Sequence, residues 1–190
     1  MNLNQTAKII SYLFVPPFLN LVIFVYYSLN YEENSKLIYS IIISLLFGVI
    51  FPILTFVYFR KKGKILNNNA TVKEERTVPY IYGIIYTLLG VTISGFFELN
   101  PSIILLWMSY LICSIALINI NRFWKVSAHS MGAAIPLGAS FFIGELPIFF
   151  AILILVSWSR VYLKVHSFAQ IVAGAFIGFG ITFILIKYCL

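Results

Sequence analysis

The sequence contains no aspartate, and its acidic residues are limited to six glutamates. A site that holds two metal ions needs several bridging carboxylates, so this composition argues against such a site. The two cysteines, Cys113 and Cys189, both lie inside apolar stretches. That placement favours neither a disulfide framework nor a cysteine-based metal site. We therefore expect chemistry that requires no metal and no cofactor.

Charge is also scarce, because only 10% of the residues are charged while 61% are hydrophobic. The mean hydropathy of +0.97 lies far outside the range of soluble domains and indicates an integral membrane protein. A net charge of +7 could suggest a nucleic-acid partner, but the basic residues are confined to short loops between apolar stretches. Such a distribution is typical of membrane topology, and no nucleic-acid partner is expected. The 190 residues are predicted to form one integral membrane domain, 1–190.

Apolar stretches of about 20 residues predict helices that cross a bilayer core of roughly 30 Å. Stretches of that length lie near residues 6–29, 37–59, 79–97, 102–120 and 167–188. Two shorter ones, 129–144 and 147–160, are separated by Gly144-Glu145-Leu146-Pro147, which favours a tight helical hairpin. The predicted fold is an all-α, polytopic transmembrane helical bundle of six or seven spans. The count depends on whether Pro16-Pro17 kinks one helix or separates an interfacial piece from a short span.

The order of the spans places the loops 60–78, 121–128 and 161–166 on one membrane face, because two spans separate each loop from the next. Most basic residues are expected on that face: Lys8, Arg60, Lys61, Lys62, Lys64, Lys73, Arg76, Arg122, Lys125, Arg160 and Lys164. The opposite face would hold Lys36 and Lys187 together with most of the glutamates. The positive-inside rule therefore predicts that the basic face is cytoplasmic. We expect a multi-pass protein of the cell (inner) membrane.

The three loops and the residues next to them carry side chains that suit a phosphate group. They are Lys73, Arg76, Lys125, Ser127, His129, Arg160 and His166. Guanidinium and ammonium groups neutralise the charge of a phosphate while donating hydrogen bonds to it. One imidazole can attack phosphorus and the other can protonate the leaving alcohol, because imidazole titrates near neutral pH. The cluster therefore predicts phosphoryl transfer without a metal.

Three segments of this region match short motifs of a known family. Ser159-Arg160 followed by His166 keeps the spacing of Ser-Arg-x5-His, and Ser127-Ala128-His129 keeps the serine and histidine of Pro-Ser-Gly-His. The segment from Lys73 through Arg76 to Pro79 holds the residue types of Lys-x6-Arg-Pro at a different spacing. In these features the chain resembles the type-2 phosphatidic acid phosphatase (lipid phosphate phosphatase) superfamily, which is related in its site to vanadium haloperoxidases. The resemblance covers a motif-bearing core of about residues 70–180.

The resemblance implies that His166 is a nucleophile that forms a phosphohistidine, and that His129 is the acid that protonates the departing lipid alcohol. The phosphoryl oxygens would be held by Arg160, Arg76 and Lys73, with the side chain and backbone amide of Ser127 as further donors. The family's aspartate, which orients the nucleophilic histidine, is replaced by Gln170. A glutamine oxygen can accept a hydrogen bond from the imidazole ring but supplies no negative charge.

The expected function is hydrolysis of a phosphomonoester or pyrophosphate on a lipid held in the bilayer. The substrates implied by the resemblance are phosphatidylglycerophosphate, phosphatidic acid and polyprenyl pyrophosphate, and a cytoplasmic site favours the first. Two alternatives stay open. The chain could be a lipid headgroup phosphotransferase, which passes the phosphoryl group to an alcohol, or a non-catalytic membrane protein that binds a lipid phosphate.

Overall fold

The computed structural model describes residues 2–65, 77–142 and 144–190. Within these ranges all regular secondary structure is helical, which confirms the predicted all-α class. The helices are α1 (Leu3–Leu13), α2 (Pro16–Tyr31), α3 (Asn34–Leu45), α4 (Phe51–Lys61), α5 (Thr77–Phe96), α6 (Pro101–Asn121), α7 (Ala128–Ser140), α8 (Leu146–Tyr162) and α9 (Phe168–Cys189). A π-helical turn, Leu46–Ile50, joins α3 to α4.

Four helical segments are long and apolar enough to cross a membrane: Asn34–Lys61, which runs from α3 through the π turn into α4, and α5, α6 and α9. Helices α1 and α2 pass the same test together, although the chain bends by 53° between them. The bend falls where Val15 is extended and Pro16 begins α2, since a residue before proline is disfavoured from helical geometry. With this pair counted as one span, the described residues hold up to five, so the predicted six or seven spans are not confirmed.

The difference in span count arises in α7 and α8. Their 13 and 17 residues correspond to about 20 and 26 Å of helix, which is shorter than a bilayer core of about 30 Å. The predicted stretch 129–144 ends early, at Ser140. In the turn that follows, Gly144 has a φ of +82°, a left-handed conformation that favours glycine. The predicted hairpin turn is present, but it joins two helices of less than full membrane length.

The outside of the bundle carries large apolar side chains. Phe176 of α9 and Phe96 of α5 are 77% and 80% exposed. Contiguous apolar surface of this kind is unfavourable in water and is expected where helices face lipid. The surface therefore agrees with a protein embedded in a membrane.

Helix α7 lies at the centre of the bundle, and each of its residues from Ser130 to Ser140 is buried. Helix α9 packs closely against it through Gly174 and Gly178. A Cβ atom at Gly174 would lie 2.6 Å from the Ser127 carbonyl oxygen, so only glycine permits this approach. The contact fixes the first turn of α7 against the first turn of α9.

Polar contacts tie the helix connections together at both ends of the bundle. At one end, which we call the site end, Lys125 Nζ donates to the Val165 carbonyl at 2.9 Å. At the other, Glu32 accepts a hydrogen bond from the Asn100 backbone amide at 2.5 Å. The predicted juxtaposition of the loops 121–128 and 161–166 is therefore confirmed. In the remaining loop, 60–78, residues 66–76 lie outside the described residues.

Candidate active site

A tight turn between α8 and α9 sets the spacing of Arg160 and His166. Helix α8 ends in a Schellman motif, in which the Lys164 amide donates to the Val161 carbonyl (2.9 Å) and the Val165 amide to the Arg160 carbonyl (3.1 Å). Lys164 adopts the left-handed conformation that the motif requires, with a φ of +55°. Helix α9 begins two residues after His166. Arg160 thus lies in the last turn of α8 and His166 just before α9, both at the site end.

Gln170 contacts the His166 ring from the first turn of α9. Ser167 is the N-cap of this helix, and its Oγ accepts a hydrogen bond from the Gln170 amide at 3.3 Å. In return, Gln170 Oε1 accepts from the Ser167 amide at 3.1 Å, which completes a capping box. The same oxygen lies 3.1 Å from His166 Nδ1, and His166 is 7% exposed. The residue predicted to orient the ring is therefore in contact with it.

These contacts determine which nitrogen of His166 carries the proton. The side-chain oxygen of Gln170 must face the Ser167 N–H, because the side-chain nitrogen of a carboxamide cannot accept a hydrogen bond. Nδ1 of His166 must then donate to that oxygen, so Nδ1 is the protonated nitrogen of the neutral ring. In this tautomer of the neutral ring the lone pair lies on Nε2. A lone pair on the nitrogen that points away from the orienting residue is what nucleophilic attack requires.

Arg160 is almost completely enclosed, with 1% of its surface exposed. Its Nη1 donates a 2.6 Å hydrogen bond to the Oγ of Ser11, a residue of α1 that is 149 positions away in the sequence. A cation inside an apolar bundle carries a large desolvation cost, and ionisable residues in such places usually serve binding or transport. The enclosure of Arg160 at the site end is therefore consistent with an anion-binding role.

Ser127 joins the first turns of α7 and α9. Its Oγ accepts from the Ser130 amide at 3.3 Å as the N-cap of α7. Its own amide donates to the Gln170 carbonyl at 3.2 Å. The expectation that this amide adds a donor to a phosphate is therefore wrong, because the amide is already bonded within the fold. The Ser127 hydroxyl still has a proton that it can donate to a further acceptor.

His129 lies in the first turn of α7 and is half-buried. It lines a cavity of about 390 Å³, which is bounded by residues of α1, α2, α4, α5, α6 and α7. We call this the proline-lined cavity, because its wall includes Pro16, Pro17, Pro52 and Pro79. Residues with polar groups also line it, among them Ser11 and Tyr80. Such a mainly apolar cavity with a few polar groups is typical of a site for an amphipathic small molecule.

The predicted site residues thus fall into three groups. Gln170, with its contacts to His166 and Ser127, forms one hydrogen-bonded group at the start of α9. The second group lies at the proline-lined cavity. It consists of His129, which lines the cavity, and Arg160, which donates a hydrogen bond to the cavity residue Ser11. Arg76 and Lys73 lie outside the described residues, and Pro79, the last residue of their motif, lines the cavity.

Two residues of the site end were not predicted to have these contacts. Ser11 lies outside all three motifs. Its place in an amphipathic helix that also carries Lys8 is the only sequence feature that could have pointed to a role at the site. Lys125 was expected on the same membrane face as the site residues, and in the structure its Nζ donates to the Val165 carbonyl. Within residues 2–65, 77–142 and 144–190, no group of three or more histidine, cysteine and glutamate side chains is arranged to hold a metal ion.

Comparison of the chain with known protein families, curated proteins and solved structures found no match.

Proposed function

We propose that this protein is a membrane-bound lipid phosphate phosphatase that works through a phosphohistidine intermediate. The observation that carries the proposal is the position of Gln170 Oε1, 3.1 Å from both the Ser167 amide and His166 Nδ1. With Nδ1 donating to this oxygen, the lone pair of the neutral ring lies on Nε2, at the end of the bundle where Arg160 and Ser127 also lie. The motif resemblance described above supports the same reading.

In the proposed reaction, His166 Nε2 attacks phosphorus, and the bond between phosphorus and the ester oxygen breaks. His129 donates a proton to the departing alcohol oxygen, which leaves as the free lipid alcohol. A water molecule then attacks the phosphohistidine, and His129 accepts its proton. Inorganic phosphate leaves, and His166 returns to its neutral form with Nδ1 protonated toward Gln170.

Charge on the transferring group would be stabilised by Arg160 and by the hydroxyl of Ser127, with Arg76 and Lys73 proposed from the sequence as further cations. Preorganised donors act on the oxygens where charge accumulates, and this is the main contribution expected in phosphoryl transfer. The buried guanidinium of Arg160 is suited to this task, because an enclosed charge interacts more strongly than one in water.

We propose the cell (inner) membrane as the location, with the site end toward the cytoplasm. Lys61, Arg122 and Lys125 follow or end helices at the site end, whereas Glu32 and Glu145 lie at the other. The positive-inside rule supports that orientation. A phosphate at the site end would leave its tail between helices or in the proline-lined cavity, and phosphatidylglycerophosphate, phosphatidic acid and polyprenyl pyrophosphate are the substrates to test.

The test is release of inorganic phosphate by detergent-purified protein from these three lipids in the presence of EDTA. We expect turnover that survives chelation and falls to background in His166→Ala and His129→Ala. Lys187→Ala, at the far end of α9, is the control and should keep wild-type rates. Unchanged turnover in His166→Ala would contradict the mechanism, and lipid binding without turnover would favour the non-catalytic alternative.

A further inference from the structure

We propose that Ser11 is part of the phosphate-binding site, where its oxygen holds Arg160 and its hydroxyl proton is donated to a phosphoryl oxygen of the bound lipid. This inference rests on the phosphatase function proposed above and extends the site to α1. That helix lies outside the motif-bearing core of about residues 70–180.

The hydrogen bonding of Ser11 differs from that of other serines in the helices. Ser28, Ser44, Ser109, Ser140 and Ser159 each donate to a carbonyl three or four residues earlier in their own helix. This is the usual way for a serine to satisfy its hydroxyl in an apolar helix. Ser11, which is 5% exposed, has instead one hydrogen bond within the described part of the chain, at 2.6 Å from Arg160 Nη1.

In that bond the roles of the two groups are fixed. A guanidinium has donors only, so the Ser11 oxygen must be the acceptor. The hydroxyl proton of Ser11 is not used in that bond and can be donated to another acceptor. A cation bonded to the oxygen also polarises the O–H group and makes it a stronger donor. The acceptor that best matches such a donor beside a guanidinium is an anionic oxygen.

The position of Ser11 indicates where that acceptor would lie. Ser11 lines the proline-lined cavity, and so does His129, the proposed acid. Arg160 is not among the described residues that line the cavity, and Ser11 is a side chain that both lines the cavity and contacts the guanidinium. A phosphoryl oxygen at this point could accept from Ser11 while the leaving alcohol lies near His129.

Helix α1 is built to hold Ser11 in this place. Ala7 and Ser11 are four residues apart, on one face of the helix, and both are buried, whereas Ile9 and Leu13 on the other faces are exposed. The buried face packs against α8, the helix that carries Arg160. The bend before α2 therefore lets α1 lie against α8 rather than continue the axis of α2.

The proposal is tested with Ser11→Ala, Ser11→Cys and Ser11→Thr. Three quantities are measured: phosphate release, its inhibition by orthovanadate, and direct binding of orthovanadate, which occupies a phosphoryl site without a lipid tail. Ser11→Ala should raise the KM and the vanadate inhibition constant by about 10- to 100-fold, because a hydrogen bond to a charged group is lost. Ser11→Cys has nearly the same size but only a weak donor, so the same defect is expected. Ser11→Thr keeps the hydroxyl and should restore affinity to within about threefold of wild type.

Ser109→Ala is the matched control, because Ser109 is fully buried in α6 and bonds only to the Leu105 carbonyl among the described residues. It should leave the vanadate constant unchanged. Wild-type vanadate affinity in Ser11→Ala and Ser11→Cys would overturn the proposal. Faster turnover in these two variants, or failure of Ser11→Thr to restore vanadate binding, would overturn it as well. If wild-type protein binds vanadate but releases no phosphate, the phosphatase function fails while vanadate binding still decides the role of Ser11. If wild-type protein neither binds vanadate nor turns over, both proposals fail.

Discussion

Gln170 uses one oxygen for two neighbours, the Ser167 amide and the His166 ring. In the family that the motifs resemble, an aspartate takes this place, and its charge also stabilises the imidazolium that develops as the ring reacts. The neutral oxygen of Gln170 fixes the ring and its proton without that charge. Under the proposed mechanism, orientation of the ring and electrostatic support of the imidazolium are therefore separate, and each can be tested by substitution.

Two substitutions of Gln170 should change kcat in opposite directions. Gln170→Glu keeps an acceptor for both neighbours and adds negative charge, so we expect kcat for phosphate release to rise. Gln170→Leu removes the acceptor and should lower kcat by about 10- to 100-fold, the range seen when other ring-orienting partners are lost. Initial rates on the best lipid substrate at saturating concentration measure both effects.

Ser167→Ala is the control for these variants. It removes the hydroxyl that caps α9 but leaves the Ser167 amide and the Gln170 oxygen in place. We expect a loss of about 1 kcal/mol in stability and little change in kcat. A Gln170→Leu protein as fast as wild type would show that the contact with His166 has no part in turnover. A slower Gln170→Glu protein would contradict the expected benefit of a negative charge beside the ring.

At the scale of helices, the site depends on the close packing of α7 and α9. The Ser127 amide reaches the Gln170 carbonyl because Gly174 lets the two helices approach. The Ser130 hydroxyl adds a 2.5 Å hydrogen bond to the Ile171 carbonyl. These contacts hold the segment that carries His129 against the segment that carries His166.

Gly174→Ala is expected to separate the two helices, because the new methyl group would lie 2.6 Å from the Ser127 carbonyl oxygen. Overpacking of this kind typically costs about 1–3 kcal/mol. We expect a lower unfolding midpoint in detergent and slower turnover. Gly180→Ala, in the same helix, has nothing within 4 Å of the new atom. It should leave turnover unchanged and raise stability by about 0.5–1 kcal/mol. Equal unfolding midpoints and equal turnover in the two variants would show that the close approach of α7 and α9 at Gly174 is not required.

The sequence predicts contacts best where they are local or follow from the order of helices. Arg160 and His166 flank a single turn, so their motif spacing already implies a common end of the bundle. Ser127 lies at the same end, because α7 leads the chain away from Ser127 and α8 returns it to that end. The lengths of α7 and α8 are harder to predict, since the apolar run 129–144 does not reveal that the helix ends at Ser140.

At the scale of the whole molecule, Ser11 is the residue that the sequence could not assign. Its partner Arg160 is 149 positions away, and only the packing of α1 against α8 brings them together. A serine in an amphipathic helix carries no pattern that distinguishes it from a serine bonded to its own backbone. Contacts of this kind depend on tertiary structure, and neither periodicity nor motif spacing encodes them.

The predicted orientation can be measured with single cysteines in a background that carries Cys113→Ala and Cys189→Ser. Phe123 is 90% exposed in the α6–α7 loop at the site end, and Glu33 is exposed at the opposite end. We expect a membrane-impermeant maleimide added to intact cells to label Glu33→Cys, and to label Phe123→Cys only after permeabilisation. The reverse pattern would place the site end outside the cell.

The most direct test of the central claim is covalent labelling of His166. Purified protein is mixed with a lipid carrying a radiolabelled phosphate and quenched during turnover. The account predicts an acid-labile, alkali-stable label on the peptide that contains His166, and its absence in His166→Ala. Label on another residue, or turnover retained by His166→Ala, would contradict the phosphohistidine mechanism.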